Sequence, residues 1–108
     1  MIDFKIINST ILETFSILKN SPSMILADTS NYLYLQNYIE GYIDALSNVL
    51  NKNLRFEINN WYKNKLNIQT TYHWTCHIQY QFKDKTDNEL KNILLNITQE
   101  YFMTNPLK

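Results

Sequence analysis

The stretch whose residue types and spacing come nearest to bond chemistry is His73-Trp-Thr-Cys-His77. Residues four apart share a helix face, so two imidazoles there could approach one zinc ion with the Cys76 thiolate beside them. The glutamate of H-E-x-x-H and the second cysteine of C-x-x-C-H are both missing, and no second cluster supplies further ligands. Cys76 beside His73 or His77 also has the parts of a thiol nucleophile and its base. A single cysteine between Trp74 and Ile78 reads better as a small buried hydrophobe, and the histidines read as half-exposed polar side chains. A metal-binding module at His73, Cys76 and His77 is thus the lesser alternative; no metal, cofactor or enzymatic activity is expected.

The other chemistry-bearing pair is Glu40 and Asp44, one helical turn apart. Acid–base work by two carboxylates needs burial or a like-charge trap to split their pKa values, and the sequence shows neither. A solvated acidic face is the simpler expectation. With one glycine in the chain a phosphate cradle is excluded, and no G-x-S-x-G elbow occurs.

These residues must be positioned by helices. A single glycine and two prolines leave few sites for hairpin turns. Thr10-x-x-Glu13 has capping-box spacing and predicts a helix over about residues 10 to 20, stopping before Pro22. Asn20 to Ser30 reads as an ordered connection that tucks Met24 and Leu26 into the core. From Ser30 or Asn31 to about Leu50, apolar residues at three- and four-residue steps predict a long amphipathic helix, with Gln36, Glu40 and Asp44 on its solvated side. Gly41 in mid-helix suggests close approach by a neighbouring helix. Leu54, Ile58, Trp61, Tyr62 and Leu66 predict a third helix over about 54 to 66, and Thr86-x-x-Glu89 starts a last one over about 87 to 102. Residues 73 to 82 alternate apolar and polar, the period of a strand, while Trp74, Ile78 and Phe82 also fit one helix face. Helix is preferred. The fold class is then mainly α, a bundle of four to five helices forming one domain over residues 1–108; the alternative is α+β with a small sheet from residues 2–7 and 73–82.

The totals bound the function. A chain of 108 residues suits one core, and 44% hydrophobic with 19% charged residues is ordinary globular usage. Ten basic and ten acidic side chains give no net charge, and so no footprint for a phosphate backbone; direct nucleic-acid binding is not expected. No stretch approaches the roughly 18 apolar residues that span a bilayer, and no signal peptide opens the chain, so a cytoplasmic, membrane-free protein is expected. Eight Tyr, five Phe and two Trp exceed the needs of a small core. Tyr32, Tyr34 and Tyr62 are the rings placed at an interface. That points to a protein that binds another protein, or pairs with itself as a homodimer.

The run Leu18-Lys-Asn-Ser-Pro-Ser-Met-Ile-Leu26, followed by Leu35-Gln-Asn-Tyr-Ile-Glu-Gly41-Tyr42-Ile-Asp-Ala45-Leu46, resembles a pattern L-K-x-R-P-x-M-Y-L-G and then F-x-x-G-Y-x-x-A-L. An aromatic helix around Trp61, a tryptophan at 74 and a closing acidic-start helix follow in the same order. The pattern is similar to immunity proteins of contact-dependent growth inhibition and related polymorphic toxin systems, over roughly residues 15 to 102. The chain departs from it at Ser21, Ile25 and Ala27. The resemblance implies a cytoplasmic protein that neutralises a cognate toxin C-terminal domain, a nuclease by preference, by occluding its active site. It also implies fold-determining roles for Pro22, Met24, Gly41, Tyr42, Ala45 and Trp61. A basic nuclease channel would be met by carboxylates, for which Glu40, Asp44, Asp84, Asp87 and Glu89 are the candidates.

Overall fold

A computed structural model describes residues 2–108. Five α-helices and one short 3-10 turn follow in order: α1 Phe4–Asn20, the turn Pro22–Met24, α2 Tyr32–Leu50, α3 Leu54–Leu66, α4 Trp74–Gln81 and α5 Asp87–Thr104. No strand occurs among the described residues, so the small sheet is overturned and the mainly α bundle stands. Trp74–Gln81 is helical, with Trp74 and Ile78, one turn apart, both fully buried, while the alternating members Cys76 and Tyr80 are exposed.

Asparagine does the turn work that glycine usually does. Asn51 and Asn67 adopt left-handed backbone after α2 and α3. In each case the two following amides bond back to the last turn, Asn51 N to Asn48 O and Lys52 N to Ser47 O, Asn67 N to Asn64 O and Ile68 N to Lys63 O. Asn31 and Asn53 cap the starts of α2 and α3, and Thr86 with Glu89 forms the expected capping box on α5. The first helix begins earlier than Thr10-x-x-Glu13 predicts. Asp3, in extended backbone, accepts from Lys5 N and Ile6 N and starts α1 there, and Thr10 lies inside the helix with its carbonyl taken by Thr14 Oγ1.

One core draws on all five helices, with Phe15, Ile39, Ile58, Ile78 and Leu94 at most 1% exposed. The molecule is 45 × 35 × 20 Å, about two helix layers thick. Asn8 on α1 clamps the far end of the chain, its Nδ2 donating to Leu107 O and its Oδ1 accepting from Leu107 N.

Several expected core roles do not hold. Met24 is 75% exposed, because the 3-10 turn ends at Met24 and the two residues after it, Ile25 and Leu26, face the core instead. Gly41 approaches nothing: a Cβ there would meet no atom within 4 Å. Ala45 is exposed as well. Pro22 fixes the first residue of the turn, Tyr42 is half-buried against Phe15, and Trp61 packs edge-on to Tyr101 at 5.5 Å. No described helix is long and apolar enough to cross a membrane.

Candidate functional site

The acidic pair of α2 meets a cation. Arg55, in the first turn of α3, donates Nε and Nη2 to Asp44 at 3.2 and 2.7 Å and Nη1 to Glu40 at 3.0 Å. The fork fits because Glu40 and Asp44 stand one turn apart and α3 folds back beside α2 after the Asn51–Asn53 turn. Glu40 is therefore half-buried and committed, not part of a free acidic face. Its other oxygen accepts from Thr75 Oγ1 at 3.3 Å, and Gln36 Nε2 donates to the same hydroxyl at 3.0 Å. Gln36, expected on the solvated side, is buried by that contact.

Tyr32 belongs to the same seam. Its ring is buried and its hydroxyl donates to Thr75 O at 2.8 Å, and burial raises its pKa far above the phenol range. It is a core residue and not a surface anchor. Tyr62 is likewise buried, with its hydroxyl 2.6 Å from His77 Nδ1 and its pKa pushed up by burial to about 12. A protonated phenol can donate to a neutral imidazole there, and burial of His77 favours that neutral form by lowering its pKa.

The three residues of the would-be metal cluster have separate surroundings. His73 Nε2 lies 3.5 Å from Glu40 Oε1, and neither of its ring nitrogens has a hydrogen-bond partner. Its pKa is lowered, chiefly by burial. His77 turns to Tyr62 on α3, and Cys76 is exposed rather than buried, lining a groove between α4 and α5. Among the described residues no three His, Cys, Asp or Glu side chains gather closely enough to hold a metal ion. The start of α4 is capped from another helix, with Trp74 N donating to Asn59 Oδ1 at 2.8 Å.

The surface feature that sequence reasoning missed is a pair of hollows sharing one wall. Tyr72 lines both. On one side, the end of α3 and the following connection border an open, shallow hollow lined by Asn60, Lys63 and Asn64. On the other, the α4–α5 groove is an open, shallow hollow lined by Cys76, Tyr80, Lys83, Lys85, Asp87 and Leu90. Tyr72 and Tyr80 are 50% and 60% exposed and meet edge-to-face at 5.6 Å, with Lys83 Nζ 5.9 Å from the Tyr80 ring. The hint in the sequence was Tyr72 and Tyr80 at eight-residue spacing across the start of the ambiguous segment.

Of the candidate carboxylates only Asp87 belongs to this groove. Asp87 lines it and lies 3.4 Å from Tyr32 N, while Asp84 and Glu89 are exposed on the same corner and Glu89 is tied to Thr86 by the capping box. Tyr34 is half exposed on the first turn of α2, the terminus that Asp87 touches. Glu40 and Asp44 lie apart from that corner, on the Arg55 clasp. No protein-family model matches the chain, and neither a curated protein nor a solved structure matches it.

Proposed function

We propose that this chain is an immunity protein, which binds and neutralises a cognate bacterial toxin domain, a nuclease by preference, by covering its active site in the cytoplasm and without chemistry of its own. The observation that carries the protein-binding part is the exposed, mutually packed Tyr72–Tyr80 pair, with shallow open hollows on either side of Tyr72. Exposed tyrosines are enriched among the anchors of protein interfaces. The toxin part rests on the resemblance of the Leu18–Leu26 and Leu35–Leu46 runs. Asp84, Asp87, Glu89 and Tyr34 form the rim in this reading, and Glu40 and Asp44 contribute through the shape of α2 more than through free charge.

The test is a pull-down of the tagged chain against the C-terminal domain of a large secreted protein encoded beside it, followed by a toxicity rescue assay. Stoichiometric capture with rescue is expected. Tyr72→Ala with Tyr80→Ala should weaken capture at least tenfold with an unchanged thermal melt, since both rings are exposed. Absence of capture and rescue by correctly folded wild-type chain sinks the reading. A mass that rises with concentration would assign the aromatic surface to a second copy of the chain instead.

A further inference from the structure

The Tyr72–Tyr80 pair is backed by a buried imidazole. The His77 ring lies 6.4 Å from the Tyr80 ring, and Tyr80 in turn meets Tyr72 at 5.6 Å. Behind His77 stands Tyr62, edge-on at 5.4 Å, with its hydroxyl 2.6 Å from Nδ1. Tyr62 and His77 are 1% and 6% exposed, whereas the two outer rings face solvent. A row of rings thus leads from the core to the surface, and its second member is the one side chain among them that titrates near neutrality. The bond at the inner end fixes how that ring is protonated. Among the described residues the Tyr62 hydroxyl makes no other hydrogen bond, so its proton takes the His77 Nδ1 lone pair and the ring carries its own hydrogen on Nε2. A second proton has only Nδ1 to go to. It turns that acceptor into a donor, and the buried phenol loses the one acceptor it has.

Nothing nearby compensates the charge. The titratable groups that face His77 are Tyr62 from α3 and Tyr80 on its own helix, and no charged side chain of α3, α4 or α5 acts on its ring. His73, at the N-cap of α4, looks another way, toward Glu40, Asp44 and Arg55. A charged imidazole at position 77 must therefore reach water, and its solvent-side neighbour is Tyr80. We propose that His77 is a proton switch beneath the Tyr72–Tyr80 pair: the neutral ring holds Tyr80 against Tyr72, and proton uptake breaks the bond to Tyr62, turns the imidazole outward, dislodges Tyr80 and releases the bound partner. The release of a partner rests on the protein-binding reading above; the switch in the free chain stands apart from it.

The experiment is a pH titration of the isotope-labelled full chain from pH 7.5 to pH 5, without partner, in which NMR follows the ring signals of His77, Tyr72 and Tyr80. The two tyrosines are expected to move with the midpoint of His77 while the far-UV circular dichroism stays constant. His77→Gln, whose amide oxygen still accepts from Tyr62, should abolish the tyrosine movement, and His73→Gln should leave it in place. Tyr62→Phe removes the bond that favours the neutral ring, so the proton affinity of His77 should rise about threefold to tenfold and the midpoint should move to higher pH. Tyrosine signals that stay flat through the His77 titration, movement that survives His77→Gln, an unchanged midpoint in Tyr62→Phe, or loss of helical signal over the same range would each overturn the proposal. Capture of the toxin domain should then be weaker by about threefold or more at pH 5 than at pH 7.5 for the wild-type chain and equal at both for His77→Gln. The same pH dependence in both chains would overturn the release. Absence of capture at either pH, with tyrosines that follow His77, would sink the immunity reading and leave the switch standing.

Discussion

Arg55 is the chain's only arginine, and it gathers the two carboxylates that looked most like a binding face. The Glu40–Asp44 spacing was plain in the sequence, but their partner sits beyond a turn, and no local spacing rule reaches from α2 to the start of α3. The same blindness hid Gln36 and Tyr32, whose burial depends on Thr75 arriving from α4. Exposed Asp84 and Tyr34 were legible because nothing folds over them. Truncation of Arg55 to Ala would leave Glu40 half-buried beside a neutral His73. A loss of about 1–2 kcal/mol of unfolding free energy is expected, less than for a deeply buried pair because solvent screens the exposed Asp44 side. Urea denaturation at pH 7.5 checks it. Arg55→Lys should recover only part of the loss, since an ammonium cannot serve both carboxylates with a planar fork.

Helix positions were read more successfully than helix contents. The start of α2, read at Ser30 or Asn31, and the span of α3 followed from apolar residues at helical spacing, and the start of α5 from a capping box, signals that are contained in one stretch of chain. The alternation in residues 73 to 82 kept a strand open beside the preferred helix, because period two and period four coincide at Trp74, Ile78 and Phe82, and helix is what forms. Gly41 shows the opposite failure, since a mid-helix glycine usually marks a close crossing and here marks none. Gly41→Ala should accordingly stabilise the protein by about 1 kcal/mol through helix propensity alone. A rise in the thermal midpoint of a few degrees would be the observation; a fall would mean that another helix does approach that face.

For the whole molecule, zero net charge concealed how the charges are placed, with Glu40 and Asp44 gathered on Arg55 and acidic and basic side chains mixed around the α4–α5 groove. Neutrality of the total excluded a nucleic-acid footprint but carried no information on where each sign would gather. Two imidazoles set the response of global stability to pH. Burial lowers both His73 and His77 below the ordinary 6.5, so on acidification the unfolded chain takes up protons that the folded one refuses. Their contribution is complete above 6.5 and is lost as pH falls through the two folded-state values. Asp28 and Glu89 are held low by hydrogen bonds from Ser30 and Thr86, and their share goes only in the carboxylate range. A lower urea midpoint at pH 5 than at pH 7.5 is expected, with His77→Gln reducing the difference; a flat profile would contradict the burial of the rings. The Asn8–Leu107 clamp has a different bearing. It holds the segment after α5 against α1, so that α5 and α1 neighbour each other as closely as helices joined by a loop. A short polar linker could close the backbone into a ring, and the ring could be reopened at the exposed Asn51–Asn53 turn without displacing a core residue. The order in which the helices are encoded is then one of several circular orders that this core accepts.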